Sequence, residues 1–568
     1  MAAVPGRCPG RAPGAGFITR AALAATLTAC GSAGPGKPAP SPLAAAESLY
    51  LDLRDLRDRI DVAAAAARSA TPDGIPVLEL ARRHNRLRST LVTRLAAIDS
   101  TRLAGDDGRA YGTMRRTLDR DLATLTDPAP ARPPGQLRPD CSYDPAAIVA
   151  TPRGLDSLRG RIYACYGWAQ QHVVIGGDTT DRLSILGALG RTDDPAERRR
   201  LFLSLEPVWR SVNGHNDDAS PYRQLIALEV RERPDGESPA AKQARLSGVP
   251  PDSLERWLIA ILETWRDAHR DSLIDPWDWH YLTGRAGRSL GARVSHARLA
   301  ELNGRVYGAL GADIGALNVR FELAPREGKT PVAFCTFGAR PRLRNGAWTP
   351  GEPSVFATYR QGGLDNLVEL LHETGHAVHI ASIRTRPAFA DWPDSDPFSE
   401  AVADFVALDA YEPLWQQHWL GDSVPLAEGL RSRYGGIVLD VAWSLLELQM
   451  LRDPTADPNQ QWTRLTREYL RIRPHPELSW WAMRGQLVSS PGYMMNYAVG
   501  AMLIAAFRAR TAAVHGTFVT GDPTWYDWVA PRLLRFGLER PTSAVIAEFL
   551  GGPVTPAPLL RDMRRMKS

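Results

Sequence analysis

"LLHETGHAVH", residues 370–379, sets three of the chain's 12 histidines within eight positions, with Glu373 beside the first of them. His372 and His376 are four apart, so on a helix they project from one face, one turn apart. Two imidazoles at this spacing can hold one zinc ion while an adjacent glutamate reaches the metal's water. Leu364, Leu367, Val368, Leu371, Val378 and Ile383 supply an apolar face, so the helix itself is credible. A catalytic zinc takes three protein ligands and keeps one position open. The reading therefore turns on what lies downstream.

In "PFSEAVADFVALDAY" (397–411), Glu400 follows His372 by 28 positions on another helical run. Asp404 lies one turn beyond Glu400, placed to accept a hydrogen bond from a ligating histidine and raise its basicity. Helix, excursion and second helix carrying E-x-x-x-D together read as a zinc site with His372, His376 and Glu400 as ligands. A purely structural zinc protein has no use for Glu373 beside an open metal position.

Upstream of the motif, "VRFELA", "PVAFCTFG" and "PSVFATYR" are short β-type runs broken by "PREGK" and "RNGAW", which predict a small antiparallel sheet. Cys335, inside the second run, reads as a buried thiol. Elsewhere the pattern is helical. In "VLELARRHNRLRSTLVTRLAAI", Val77, Leu80, His84, Leu87, Leu91, Leu95 and Ile98 form one stripe at three- and four-residue steps, with His84 a core or boundary residue. "TDPAPARPPG" (126–135) predicts a loop or subdomain joint. The expected fold is mainly α with one small sheet directly before the histidine helix.

At the N-terminus a basic segment without acidic residues precedes the short apolar run "AALAATLTA". That run is too short to cross a bilayer, for which a helix needs about 20 residues, and it reads as an export signal. "LTACG" (27–31) resembles the lipobox of bacterial lipoproteins, in which the cysteine, here Cys30, becomes the lipidated first residue; an ordinary cleaved signal is the alternative. The expected organisation is a signal peptide at 1–29, a Pro/Gly/Ser-rich tether at 30–43 and a helical domain at 44–568. Within that domain, 44–315 is mainly helical and 316–568 carries the zinc site. The chain would be exported and anchored by lipid to the cell envelope. In an oxidising compartment Cys141 and Cys165 could close a loop, and the sequence leaves their pairing open.

Formal net charge is +5. Removing Arg7, Arg11 and Arg20 with the signal leaves +2 (5 − 3), and the remaining arginines are interspersed with Asp and Glu in stretches such as "LRDLRDRID". Such faces are solvated and give no basic stripe, so no nucleic-acid partner is expected.

Two related zinc-peptidase families resemble this chain over roughly residues 270–563. "PREGKTPVAFCTFG" followed by "HETGHAVH", together with "PWDWHYL" (276–282) and "FLGGPVTPAPLLRDM" (549–563), is similar to the thimet oligopeptidase family. "SEAVADFVAL" and "QLVSSPGYMMNY" resemble the angiotensin-converting enzyme family. The resemblance implies a two-lobed helical fold around a deep channel. It also implies zinc-dependent hydrolysis of oligopeptides by a monomer, with one zinc ion and Glu373 as base. His379 matches an extra family histidine that is not a ligand. Both families use a tyrosine from a late helix as oxyanion donor, which implies Tyr497 for that role and Tyr493 for substrate contact. Arg484 falls where the converting-enzyme family grips a substrate's C-terminal carboxylate, implying release of C-terminal dipeptides. Gln486 stands where both families carry a histidine. Glutamine can donate a hydrogen bond but bears no charge, which keeps a second reading in play: an impaired homologue that binds peptides as an envelope lipoprotein.

Overall fold

The first described helix shows what holds this chain together. In the computed structural model, helix α1 (Pro42–Ala65) turns Tyr50, Leu53, Leu56 and Ile60 inward. It packs along α2 (Val77–Ala96) and α3 (Gly105–Arg120). The structure describes residues 42–567 except 67, 72, 121, 123, 126–137, 145–151, 233–235, 270–271, 327–328, 330–331 and 345. The signal segment with Cys30, and the loop expected at 126–135, lie outside the described residues. The expected tether overlaps them at Pro42 and Leu43, which already belong to α1. On α2 the sequence stripe faces inward as its spacing requires, and His84 is fully buried.

The described residues form a mainly helical structure, one compact unit from Pro42 onward. A single large buried cluster runs from Leu158 to Met566. A disulfide joins Cys141 to Cys165 on α4 (Pro152–Gln171), with Cα atoms 5.7 Å apart. Helix α5 (Pro251–Ala268) packs against the long helix α8 (Leu426–Arg452). Between these two in sequence come α6 (Leu364–Ser382) and α7 (Asp396–Ala407), and α8 is followed by α9 (Met494–Val514). Helix α9 is long and apolar enough to cross a membrane by composition alone. It is instead apolar all round because it is enclosed, packing on both α7 and α8.

The β structure corrects the expected single antiparallel sheet. Strands β1 (Val173–Ile175) and β2 (Asp178–Thr180) form one hairpin, and β5 (Arg342–Arg344) and β6 (Ala347–Thr349) another. Strands β3 (Arg320–Glu322), β4 (Phe334–Thr336) and β7 (Ser354–Phe356) form a three-stranded sheet in the order β3-β7-β4. It is mixed: β4 runs antiparallel to β7, but β3 runs parallel to it. Two intervening segments carry the chain back to its starting side, so β7 enters between β3 and β4. Buried Lys329 ties the sheet, donating from Nζ to the carbonyls of Glu322 (2.8 Å), Ala324 (2.9 Å) and Ala357. A compact ammonium with three rotatable donors suits three converging carbonyls better than a planar guanidinium would.

The turn that launches α9 is held from α8. Ser444 donates to the carbonyl of Met494 at 2.7 Å, and fully buried Glu447 accepts from the Gly492 N–H at 2.6 Å. Gly492 has φ +83°, and a Cβ there would lie 2.5 Å from the Pro239 Cβ, so only glycine fits. Burial pushes the Glu447 carboxyl up to about 8 despite the backbone N–H groups that favour its charge. Its folded pKa exceeds the unfolded value of about 4.3. The folded chain therefore holds this proton longer, and stability falls as pH rises through that window. Glu447→Gln keeps an acceptor and removes the charge. Its stability advantage over the wild type is expected to grow from near zero below pH 4.5 to its full size near pH 8. Denaturant titrations across that range give the test, and a pH-independent gap would refute it.

Candidate metal centre

Helix α6 presents two faces of opposite character. Leu367, Leu370, Leu371, Thr374, Ala377 and Val378 are buried. Asp365, Glu369, His372 and His376, at three- and four-residue steps, face open space. The helix starts after Gly363, whose φ of 118° suits glycine alone. Tyr307 anchors its middle by donating to the Leu371 carbonyl at 2.7 Å.

Helix α7 begins with Ser395 capping the Phe398 N–H and lies directly against α6. Gly375 makes the approach possible: a Cβ there would sit 2.4 Å from the Ala403 carbonyl oxygen and 2.8 Å from its Cα. Contact this close brings Glu400 and Asp404 onto the histidines. His372 Nδ1 is 2.7 Å from Asp404 Oδ1, and its Nε2 is 3.5 Å from Glu400 Oε2. One ligand atom from each of His372, His376 and Glu400 lies within 4.8 Å of the others, and this trio could hold a metal ion.

The donor set and its surroundings fit that role. His372 has one ring nitrogen on Asp404, leaving Nε2 to point at Glu400. His376 Nδ1 and Glu373 Oε2 are buried without a hydrogen-bond partner, an expensive arrangement unless a ligand completes it. Burial opposes an imidazolium at His372, yet the carboxylates of Asp404, Glu373 and Glu400 overcome it and hold the ring up to about 10. A position that favours positive charge so strongly suits a proton or a metal ion equally. Burial pushes His376 far the other way, toward the neutral form a metal requires. His379 is neutral too, pushed down to about 4 by burial, and it packs between Trp392 and Phe398.

The trio opens on a cavity of about 680 Å³. Strand β4, at the edge of its sheet, lines one wall with the residues just before it, and Cys335 is only half-buried there rather than sealed in the core. Tyr493, Tyr497 and Gln486 stand on the wall from the α9 side. The two tyrosine rings are 5.7 Å apart and nearly perpendicular, and Gln486 Nε2 is 3.4 Å from the Tyr497 hydroxyl.

Arg484 departs from the expected carboxylate grip. Its guanidinium is paired with Asp440 of α8 and lies 4.6 Å from the Trp443 ring and 5.6 Å from that of Tyr497. Asp440, not Arg484, lines the cavity. The arginine is not a solvated surface residue, and part of its donor capacity is already taken by the Asp440 carboxylate.

Among the wall residues that sequence reasoning missed, four bear on the chemistry. Glu369 was findable, three positions before His372 on the same helical face, and Asp396 likewise, four before Glu400. Trp392, whose ring lies 5.4 Å from that of His376, sits in the excursion between the helices and carries no periodic signal. Asp440 comes from a helix tens of residues away.

No protein-family model and no curated protein matches the chain. Among solved structures, one described as "The Structure of CHT" superposes with a TM-score of 0.52 at 13% identity, over 93% of this chain and 99% of that one. At this identity the likeness concerns the fold alone.

Gly375→Ala tests the helix approach. The added methyl meets α7 backbone, which cannot swing aside, so overpacking is expected to cost about 1–3 kcal/mol and to weaken metal binding with every ligand in place. Denaturation midpoints and metal titration measure both, and wild-type affinity would overturn the proposed role of this contact.

Proposed function

We propose that this chain is a zinc metallopeptidase that hydrolyses oligopeptides, of the two-lobed helical kind resembled by its motifs. The observation that carries the proposal is His372, His376 and Glu400 converging within 4.8 Å beside the unpartnered Glu373 carboxyl on a peptide-sized cavity. Two imidazoles and one carboxylate, open on the cavity side, are a donor set that favours zinc. The lipobox-like "LTACG" supports exposure of this body at the cell envelope, held by lipid on Cys30.

His372, His376 and Glu400 would hold the ion, with Asp404 fixing the His372 tautomer through Nδ1. Zinc, when bound, supplies the Lewis acidity for attack of water on a peptide carbonyl. Glu373 does the proton work. Burial pushes its carboxyl up to about 7, so near neutral pH it can take a proton from water and return it to the departing amine. Burial pushes the Tyr497 phenol up to about 12, which keeps its O–H available to donate to developing negative charge on the substrate oxygen. Gln486, beside that hydroxyl, orients it without charge. Edge strand β4 can pair with an extended peptide backbone and hold it independently of sequence. The pairing of Arg484 with Asp440 supports cleavage within peptides over obligatory release of C-terminal dipeptides.

A second reading rests on Gln486. With a neutral amide in place of an ionisable ring, the cavity could bind peptides while turning them over poorly.

Zinc content and cleavage of a quenched fluorescent peptide library separate these. His372→Ala and Glu400→Ala are expected to lose zinc and activity together. Glu373→Gln is expected to keep zinc and lose about 10²–10⁴ in turnover; near-normal turnover in this variant would sink the mechanism. Tyr497→Phe is expected to lower kcat by about 10²–10³ with KM little changed. A wild-type protein that holds zinc and binds library peptides without cutting any would favour the second reading.

A further inference from the structure

The cavity wall is strongly acidic in a chain that is formally basic overall. It carries Glu369, Glu373, Asp396, Glu400, Asp404 and Asp440 and, among the described residues, no Lys or Arg. Four of these have assigned partners or tasks. Glu400 belongs to the metal trio, Glu373 is the base, Asp404 holds His372 and Asp440 holds Arg484. A divalent ion and the Arg484 guanidinium would offset three of the six carboxyl groups, leaving an excess of acidic groups in the space.

Glu369 and Asp396 remain. Both are open to the cavity, and neither forms an ion pair among the described residues. The polar contacts of Asp396 are uncharged amides, Gln243 Nε2 and Asn496 Nδ2, each at 3.4 Å. Both side chains reach solvent through the cavity, and the partial desolvation by its walls pushes both carboxyls above their ordinary range. A cation brought beside either one would relieve that cost.

Their placement is informative. Helices α6 and α7 run antiparallel, since His372 meets Asp404 while His379 meets Phe398. Glu369, one turn before His372, therefore lies beyond one end of the metal trio. Asp396, one turn before Glu400, lies beyond the other. A carboxylate whose neighbours are uncharged, the Tyr359 phenol at Glu369 and two amides at Asp396, flanks the reacting position on each side, and the buried, unpartnered Glu373 Oε2 marks that position independently.

We infer that the cavity selects cationic peptides, seating an arginine or lysine side chain against Glu369 on one side of the scissile bond or Asp396 on the other. This rests on the peptidase reading for the position of the bond, but the charge preference itself needs only that peptides enter the cavity. Low-dielectric walls lined by one sign of charge focus the field and raise the local concentration of oppositely charged ligands. Charge-assisted hydrogen bonds then hold the side chain in place.

The test uses zinc-loaded protein and matched quenched fluorescent peptides that carry arginine, its neutral isostere citrulline, or glutamate at each position flanking the cut. The arginine peptides are expected to show kcat/KM about tenfold above the citrulline ones, consistent with a hydrogen bond to a charged group. Glutamate peptides should fall below both. The arginine-to-citrulline ratio should shrink toward one in about 1 M salt, where screening is nearly complete. Glu369→Gln and Asp396→Asn should each reduce that ratio at least threefold, at different substrate positions. In parallel, fluorescence anisotropy with Glu373→Gln protein measures binding of the labelled arginine and citrulline peptides. Cleavage at equal kcat/KM for all three peptides overturns the inference and leaves the peptidase reading intact. If no peptide is cut but the arginine peptide binds preferentially, the inference stands and the peptidase reading falls. If no peptide is cut and none binds preferentially, the inference is overturned. The salt and citrulline comparisons need only wild-type protein, so a variant that fails to fold does not leave the question open.

Discussion

The contact of Gly375 on α6 with Ala403 on α7 governs the geometry of everything around it. Two helix backbones meet there with no side chain between them. At that separation the short Asp404 side chain reaches His372, and Glu400 comes within 3.5 Å of the same ring. A methyl group at this point would have to be accommodated by shifting backbone, and a shift of even a few tenths of an ångström matters to a constellation of ligands. The glycine thus sets the geometry of the His372, His376 and Glu400 group without belonging to it.

The surrounding fold supplies rigidity and enclosure. Buried Arg340 donates to Asp55 (3.0 Å) and Asp58 (2.6 Å) on α1 and to the carbonyl of Ala390 (2.9 Å). The same junction ties Asp391 to Arg54. These bonds pin α1 to the loop that ends in Trp392, against which His376 and His379 rest. Ion pairs of this kind contribute little net stability, because desolvation offsets their attraction. Their value here is positional, fixing a loop that has no regular hydrogen-bond ladder. From the opposite side, Glu447 and Ser444 hold the turn that delivers Tyr493 and Tyr497. The cavity wall is therefore set by α6, α7, α8, α9 and one sheet edge, each immobilised by buried polar contacts.

Charge gives the site its second character. Arginine dominates the basic residues, and where it stands in exposed pairs with Asp and Glu, each pair contributes about 0–1 kcal/mol. Inside the cavity the balance reverses, and acidic groups gather around histidines kept in opposed protonation preferences. His372 is pushed up by carboxylates and His376 down by burial. Separation of this sort between neighbouring groups is characteristic of functional sites, and it arises here from one helix face meeting another.

Helix content, the apolar stripes and the two imidazoles of HETGH could be read from residue order, because helical periodicity maps sequence directly onto a face. Glu400 and Asp404 could be read too, since their spacing places both on one side of a second helix. Residue order also carried the strands β3, β4 and β7, but neither the two hairpins nor that β3 would pair parallel to β7, which depends on where the chain returns. It left the pairing of Cys141 with Cys165 open, and only their proximity in the folded chain decides it. It suggested Arg484 as a carboxylate receptor, whereas folding brings Asp440 to that guanidinium from a distant helix. Local spacing determines what shares a face. Long-range packing determines which charges meet, and charges lose their freedom to act once a closer partner is supplied.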